Sequence, residues 1–342
     1  VQSLKKLFSN KIRSSKHPMG RRFLTLLCLV STFFTSTDLW ALAPETPLKN
    51  VSIVITQYVS HAALDAVRDG AMDHLKECAK GKFHITFNLT NASANLLVAR
   101  QIAQKHASQE PDVIIAISTL SAQSVLSAVR GKIPLVFGAI TDPKAAHITG
   151  ENVTGVTDKP PFRDQILFVK SLLPSLKNLA LLYNPGEDNS RSALVELTEI
   201  LKELDINLVA VAVTKSTDIP QAVSKATEGA QAIFIANDNL IASSFESLIK
   251  VTNAKKIPVF TSDIMLVERG AVGMRGIDYY TIGQQAGLQT CQILEGTPLK
   301  DIPVSHPKNL KLYLNEKAAR LTGVSFSEAL LKEADKVVKA PL

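Results

Sequence analysis

Short apolar runs alternate with segments of helical periodicity along most of the chain. "VSIVITQ" at 51–57 is apolar almost throughout, as expected for a strand buried on both faces of a parallel sheet. The segment that follows, "HAALDAVRDGAMDHLKECA", repeats its apolar residues at helical spacing. The same pattern predicts three further strands in the first 141 residues, at 83–89, 111–118 and 133–141. It predicts two further helices, at 95–109 and 120–130.

A polar stretch at 149–162 interrupts this alternation, which then restarts. Strands are predicted at 179–184, 206–213, 232–238, 257–263 and 270–279. Helices are predicted at 165–176, 190–204, 219–229, 244–256 and 281–296. The segment 304–323 adds a short strand and a helix. Two rounds of strand–helix alternation predict an α/β protein with two parallel-sheet lobes.

Polar residues follow most of the predicted strands. Ligands of open α/β sheets bind beyond the carboxyl ends of the strands, so these residues form the candidate site. Each cluster taken alone is equally consistent with capping of the next helix. The candidate ligand-binding residues are Gln57, Tyr58, Ser118, Thr119, Ser121, Thr141, Asp142, Tyr183, Glu187, Asn189, Ser190, Asn237, Asp238 and Asp263.

The chemistry of these residues favours a zwitterion. Hydroxyls and N–H groups at the start of the helix after Ser118 suit a carboxylate. Asp263 is the first choice for an ammonium partner, with Glu187 and Asp238 as alternatives. Tyr58 and Tyr183 offer flat faces to an aromatic ligand body. Tyrosines in such places also commonly serve only as packed residues.

The net charge of +7 suggests nucleic acid, but its distribution argues against that partner. Residues 1–43 contain seven Lys/Arg and one acid, which leaves 31 basic and 30 acidic residues in the rest of the chain. A nearly balanced body has no bulk attraction for phosphate backbones. We therefore expect no nucleic-acid partner.

The basic segment 1–43 has the features of a leader. Arg21 and Arg22 precede an apolar run at 23–34, and Ala41-Leu42-Ala43 follows it. This order predicts a secretory signal peptide that starts at about Met19 and is cleaved near Pro44, giving a periplasmic protein. An uncleaved membrane anchor is the alternative, although the apolar run is short for a span of about 20 residues.

Beyond the leader the chain has two cysteines, Cys78 and Cys291, each in an apolar helical pattern. We expect two buried free thiols rather than a disulfide or a metal pair. The sequence contains no HExxH, GxGxxG, P-loop or GxSxG motif. It therefore predicts no catalytic residues, no metal and no cofactor.

Several motifs together resemble one known family. They are "TQYVSHAALDAV", "PDVIIAISTLSAQS", "IPLVFGAITDP", "NVTGVTD", "LLYNPGEDNS", "ANDNLIAS", "IPVFTSD" and "GAVGMRGIDYYTIGQQAG". From about Asn50 to Lys336 the chain resembles the ABC-transporter substrate-binding proteins associated with tryptophan and tyrosine uptake. It departs from their pattern at Ala62, where proline is frequent, and in the loop Thr119–Gln123.

The resemblance implies a type I periplasmic-binding-protein fold, with two Rossmann-like lobes and a ligand cleft between them. Three crossovers are expected to join the lobes, near 152–157, 273–278 and 296–303. Lobe 1 would comprise 49–152 plus 275–297, and lobe 2 would comprise 153–274 plus 298–342.

The implied function is capture of an aromatic or large apolar L-amino acid between closing lobes, by a monomer that delivers it to an ABC permease and ATPase. One alternative is a periplasmic ligand-sensing protein that acts through a membrane receptor, and another is a solute other than an amino acid. Paired carboxylates Glu187 and Asp263 would suit an enzyme, but no nucleophile–base pair accompanies them. A repressor would need a helix-turn-helix where the hydrophobic leader stands.

Overall fold

The computed structural model describes residues 48–339, and the predicted leader lies outside them. The first lobe is built on a five-stranded parallel sheet of order β2-β1-β3-β4-β5. Strands β3 and β4 are buried at every residue, which explains their uninterrupted apolar sequences. Its strands are β1 Lys49–Gln57, β2 Phe83–Asn91, β3 Val113–Ile117, β4 Leu135–Ile140 and β5 Val153–Thr157. Its first three helices are α1 Ala62–Cys78, α2 Leu96–Gln109 and α3 Thr119–Val129.

The second lobe contains a four-stranded parallel sheet of order β7-β6-β8-β9. Phe162 and Phe234 meet edge-to-face in its core, with ring centroids 6.3 Å apart. The strands are β6 Asn178–Tyr183, β7 Asn207–Ala212, β8 Ala232–Ile235 and β9 Val259–Thr261. The helices are α4 Phe162–Leu172, α5 Asp188–Glu203, α6 Ile219–Ala226, α7 Asn239–Ser243, α8 Phe245–Lys255 and α9 Met265–Glu268.

A smaller third sheet packs on the second lobe. Strand β10 (Gly273–Ile277) pairs antiparallel with β11 (Leu310–Asn315), which pairs parallel with β12 (Lys336–Val338). Between β10 and β11 the chain returns to the first lobe as helix α10 (Tyr279–Leu294). Helices α11 (Glu316–Thr322) and α12 (Glu328–Glu333) complete the second lobe. The chain therefore passes between the lobes three times, at 158–161, at Asp278 and between 295 and 309, and the predicted α/β architecture is confirmed.

The polar stretch 149–162 contains β5, which the hydrophobic pattern does not predict. Its threonines are buried because their hydroxyls reach backbone or side-chain partners; Thr154 Oγ1 donates to the carbonyl of Ile302 at 2.8 Å. Strand β5 pairs with β4, so a second lobe that begins at 153 would separate β5 from the first sheet. On this pairing we propose that the boundary follows Thr157. The short elements α7, α9, α12 and β12 were also not predicted.

Helices α1 and α10 lie unusually close together. A Cβ added at Gly70 would collide with the carbonyl of Tyr280, and one added at Gly283 would collide with the carbonyl of Val67. This approach brings the Cα atoms of Cys78 and Cys291 to 6.5 Å, and the two residues form a disulfide. The expectation of free thiols is therefore wrong. The two cysteines are 213 residues apart, so their spacing in the sequence carried no sign of the contact.

Within residues 48–339, no helix combines the length and the apolar character that a membrane span requires.

The disulfide should stabilise the first lobe measurably. Reduction, or the double substitution Cys78→Ala/Cys291→Ala, is expected to lower the free energy of unfolding by about 2–5 kcal/mol, because the bridge closes a long loop in the unfolded chain. Urea denaturation with and without reductant measures this. Reductant should leave the double variant unchanged, which makes it the control. Equal stability of oxidised and reduced wild-type protein would contradict the prediction.

Candidate functional site

A small cavity lies between the two lobes, where the carboxyl ends of their strands face each other. Both lobes and two of the crossovers contribute to its lining. Its volume is about 30 Å³, room for about two water molecules. The lining residues are His61, Leu64, Thr119, Ala139, Thr141, Asp158, Asn189, Ala236, Asn237, Asp238, Asn239, Ala242, Asp263, Leu266 and Tyr279.

Six of the fourteen candidate residues line this cavity, and eight are not part of its lining. The six are Thr119, Thr141, Asn189, Asn237, Asp238 and Asp263. The eight are Gln57, Tyr58, Ser118, Ser121, Asp142, Tyr183, Glu187 and Ser190.

Four of these eight have structural partners of their own. Gln57 Nε2 donates to Asp65 at 2.8 Å, and the Tyr58 hydroxyl donates to the carbonyl of Ala94 at 2.8 Å. Asp142 accepts from the backbone N–H of Ala145 at 2.9 Å and so holds a turn. Tyr183 packs against the core of the second lobe. The two tyrosines expected to offer flat faces to an aromatic ligand are therefore absent from the cavity lining.

Glu187 caps the short helix α7. Its oxygens accept from the backbone N–H groups of Asn239 and Leu240 at 3.1 and 3.2 Å, and from the Asn239 amide at 2.6 Å. Two further amides, from Asn184 and Asn189, donate to the same carboxylate. Glu187 is 1% exposed and its hydrogen-bonding capacity is used within the second lobe. This geometry leaves it no free oxygen for a ligand.

Three buried aspartates line the cavity, and they differ in how many donors they already have. Both oxygens of Asp238 are occupied, by Ile241 N–H at 2.9 Å and by Ser190 Oγ at 2.6 Å. Both oxygens of Asp158 are also occupied. Asp263 accepts only from the N–H of Met265, at 2.8 Å through Oδ1. Among the described residues, no donor reaches Asp263 Oδ2.

Burial raises the pKa of all three carboxyl groups. The pKa rises to about 6 for Asp158 and to about 7 for Asp263, mainly because the charged form loses its hydration. For Asp238 it also rises to about 7, with repulsion from Glu187 adding to the effect of burial. No lysine or arginine is among the described residues that line the cavity. A cation entering the cavity would therefore be stabilised by these carboxylates.

Two asparagine amides add further acceptors. Asn189 Nδ2 donates to the carbonyl of Asn237 at 2.8 Å, and Asn237 Nδ2 donates to Asp158 Oδ2 at 2.8 Å. These bonds fix the orientation of both amides. In each residue Oδ1 is buried without a hydrogen-bond partner. Since an unsatisfied buried acceptor is costly, both oxygens are suited to receive donors from a bound molecule.

The first lobe presents donors instead. Helix α3 begins at the cavity, and no side chain caps its first turn, where the N–H groups have no partner within the helix. Ser118 precedes it at φ 82° and ψ 158°, a region that only glycine adopts without strain. Its Oγ is buried and unpartnered. Strain together with a free hydroxyl at a helix start is typical of an anion site.

Nine lining residues were absent from the predicted site, and four of them carry polar side-chain atoms: His61, Asp158, Asn239 and Tyr279. His61 and Asn239 follow β1 and β8, but no pattern distinguishes them from their polar neighbours. Asp158 and Tyr279 lie at two of the crossovers, next to β5 and β10. The position of crossovers beside an inter-lobe cleft was the signal that would have identified them. Within residues 48–339, no group of His, Cys, Asp or Glu is arranged to hold a metal ion.

Comparison with known proteins identifies relatives over most of the chain. The family described as "ABC transporter substrate binding protein" matches residues 52–338. A "Tyrosine-binding protein" of Clostridioides difficile (strain R20291) is 32% identical over 275 residues, which are 78% of this chain and 79% of that protein.

Two solved structures bear on the arrangement of the lobes. An ABC domain from Streptococcus pneumoniae in complex with L-Trp is 29% identical and superposes with a TM-score of 0.81, over 85% of this chain and all of that one. A ligand-free, open substrate-binding protein from Clostridium difficile is 30% identical, with a TM-score of 0.64 over the same shares. At nearly equal identity, the chain therefore superposes better on the L-Trp complex than on the open protein.

The raised pKa of Asp263 gives a testable dependence of stability on pH. A carboxyl whose pKa lies at about 7 in the folded protein and at 3.8 when unconstrained stabilises the fold fully below about pH 4. That stabilisation is lost as the pH rises through about 7. Asp263→Asn should therefore be more stable than wild type, and the difference in the free energy of unfolding should grow with pH. We expect a difference on the order of 1 kcal/mol near pH 5 and of about 4 kcal/mol near pH 8.

Urea denaturation at several pH values measures this difference. Asp301→Asn, at an exposed position far from the cavity lining, is the matched control and should follow wild type at every pH. A constant difference between Asp263→Asn and wild type across this range would contradict the assignment.

Proposed function

The chain belongs to the ABC transporter substrate-binding protein family, and we propose that it captures an aromatic or large apolar L-amino acid between its lobes for an ABC permease and its ATPase. Members of the family are solute-binding proteins, so the expectation that this protein is not an enzyme is confirmed. The capture of a small molecule between lobes follows from the family and the fold. The identity of the ligand, the transport partners and a monomeric state are the proposal.

The observation that carries the proposal is the opposite polarity of the two cavity walls. The second lobe offers three acceptors without donors: Asp263 Oδ2, Asn189 Oδ1 and Asn237 Oδ1. The first lobe offers the uncapped start of α3 and the free hydroxyl of Ser118. A zwitterion placed between them satisfies both walls at once. An isolated anion would leave the three acceptors of the second lobe without donors.

Three acceptors on one wall correspond in number to the three N–H bonds of an ammonium group. Asp263 supplies the negative charge, because Asp158, Asp238 and Glu187 already have donors on both carboxylate oxygens. Charge-assisted hydrogen bonds of this kind are about twice as strong as neutral ones. We therefore assign the ammonium to Asp263, with Asn189 and Asn237 beside it.

The carboxylate is assigned to the start of α3. Thr119 lines the cavity, and Ser118 and Ser121 are buried directly beside it. Helix α3 has eleven residues, long enough for its first-turn N–H groups to act together on an anion. Thr141 has its hydroxyl committed to Asp158 at 2.9 Å, so it contributes to the cavity wall without being free to donate to the ligand.

The apolar part of the wall accommodates the ligand side chain. Leu64, Ala139, Ala236, Ala242 and Leu266 supply it. Preference for an aromatic amino acid is supported by the relatives, one named a tyrosine-binding protein and one solved with L-Trp. At about 30 Å³ the cavity is smaller than any such ligand, so the lobes must separate to admit it and close around it.

We propose export to the periplasm, with the leader 1–43 removed. A disulfide between Cys78 and Cys291 supports this, because disulfides persist in oxidising compartments outside the cytoplasm. N-terminal sequencing of native protein should find a start near Pro44. An intact leader on the native protein would contradict cleavage and favour the membrane-anchor alternative.

Loss of the Asp263 carboxylate should nearly abolish binding. Removing one partner of a buried charge pair costs about 2–5 kcal/mol, which is roughly 30-fold to several-thousand-fold in affinity. Isothermal titration calorimetry of Asp263→Ala with L-tryptophan and L-tyrosine measures the loss.

Two comparisons make this result interpretable. Asp301→Ala, at an exposed position outside the cavity lining, should bind as wild type does. Unchanged affinity in Asp263→Ala would refute only the assignment of Asp263 as the partner of the ligand ammonium. Wild-type protein that binds a sugar or nucleoside but no aromatic amino acid would refute the ligand class.

A further inference from the structure

His61 occupies a position between the lobes that the proposed ligand contacts leave unused. It precedes α1 on the first lobe and lines the cavity. Its Nε2 lies 3.3 Å from Oδ1 of Asn239, which belongs to the second lobe. Its Nδ1 is buried and has no hydrogen-bond partner, although the residue as a whole is partly exposed.

The surroundings fix which ring nitrogen carries the hydrogen. Asn239 Nδ2 donates to Glu187 Oε2 at 2.6 Å, and a carboxylate can only accept. The Asn239 oxygen therefore faces His61 and requires a donor there, so Nε2 bears the hydrogen. Burial lowers the pKa of the imidazole, outweighing the opposite effects of Asn239, Asp65 and Glu187, while Arg269 lowers it further. His61 is thus neutral near pH 7, and Nδ1 carries a lone pair.

A buried lone pair beside a binding cavity restricts what can be placed next to it. A ligand carboxylate would be repelled by it, which agrees with placing that group at α3. The ammonium is already matched by three acceptors on the second lobe. What remains is a hydrogen-bond donor on the ligand's side chain. Among aromatic amino acids, the phenol O–H of tyrosine and the indole N–H of tryptophan provide one, and phenylalanine does not.

We propose that Nδ1 of His61 accepts a hydrogen bond from the ring donor of the ligand and thereby selects tyrosine or tryptophan against phenylalanine. This inference rests on the proposed function, since it takes an aromatic amino acid as the ligand. A site built to receive a donor discriminates strongly against the analogue without it, because its own polar group is left unpaired.

The arrangement of the lobes supports a role for His61 in the loaded protein. The contact between His61 and Asn239 joins the first lobe to the second, so it exists only when the lobes are close together. At nearly equal identity, the chain superposes better on the L-Trp complex than on the open relative. We therefore expect the loaded protein to keep the contact that orients the imidazole.

The test compares pairs of ligands that differ in one donor. Calorimetry on the wild-type protein should show tyrosine bound about 5- to 150-fold more tightly than phenylalanine, or tryptophan bound by a similar factor over 1-methyl-tryptophan. The pair that shows the preference identifies the donor. In His61→Ala the preference should disappear because the acceptor is gone, whereas loss of the His61–Asn239 contact would weaken all ligands by the same factor.

Each other outcome has a definite meaning. Equal affinities within both pairs in the wild type would overturn the proposal without any variant, as would a preference that survives in His61→Ala. A loss in His61→Ala that is equal for all ligands and keeps the wild-type ratios would also overturn it, because His61 would then act only on the shared part of the ligands or on the contact between the lobes. His84→Ala, at an exposed position on β2, is the matched control and should retain the wild-type ratios. Failure of every aromatic amino acid to bind would refute the proposed function itself.

Discussion

The closed arrangement of the lobes depends on the hydrogen bonds that converge on one buried carboxylate, Asp158. Its Oδ1 accepts from Thr141 of the first lobe at 2.9 Å. Its Oδ2 accepts from Asn237 of the second lobe at 2.8 Å and from Tyr279, at another crossover, at 3.2 Å. A buried carboxylate is expensive unless it is fully hydrogen-bonded, and its raised pKa reflects that cost. Asp158 therefore stabilises this arrangement of the lobes, because all of its hydrogen bonds form only when both lobes and both of these crossovers are in place.

Asp158 also connects the candidate ligand site to the hinge. Asn237 donates through Nδ2 to Asp158, and its unpartnered Oδ1 belongs to the acceptor wall assigned to the ligand ammonium. The Asn237 amide therefore contacts the Asp158 carboxylate through its nitrogen and is available to the ligand through its oxygen. A ligand that occupies Oδ1 holds Asn237 in the position from which it bridges the lobes. On the proposed placement of the ammonium, the ligand would favour closure through this one oriented side chain, which is the differential affinity that ligand-driven closure requires.

The alternation of apolar and polar positions was sufficient to predict the α/β class, the two lobes and most of the helices and strands. It could not predict β5, because the polar residues of "NVTGVT" indicate an exposed segment. Thr154 is buried only because its hydroxyl donates to the carbonyl of Ile302, which is 148 residues away in the sequence. The site was predicted as a region and not residue by residue. Glu187 and Asp263 are both acidic residues close after strands, yet one caps α7 and the other keeps an oxygen free. That difference depends on where the short helix α7 begins, and no pattern in the sequence indicated α7.

The disulfide shows how a contact invisible in the sequence can serve the site at a distance. Helices α1 and α10 run side by side in the same direction, since Gly283 lies against Val67 in their first halves and Cys78 joins Cys291 near their ends. Both helices begin at the cavity, one directly after His61 and the other with Tyr279. Joining their far ends, in a pair already packed too closely for side chains at Gly70 and Gly283, makes the two helices one rigid unit. The donor and acceptor atoms at their cavity ends are therefore held in fixed relation while the second lobe opens and closes, as a site that must recognise its ligand by a few hydrogen bonds requires.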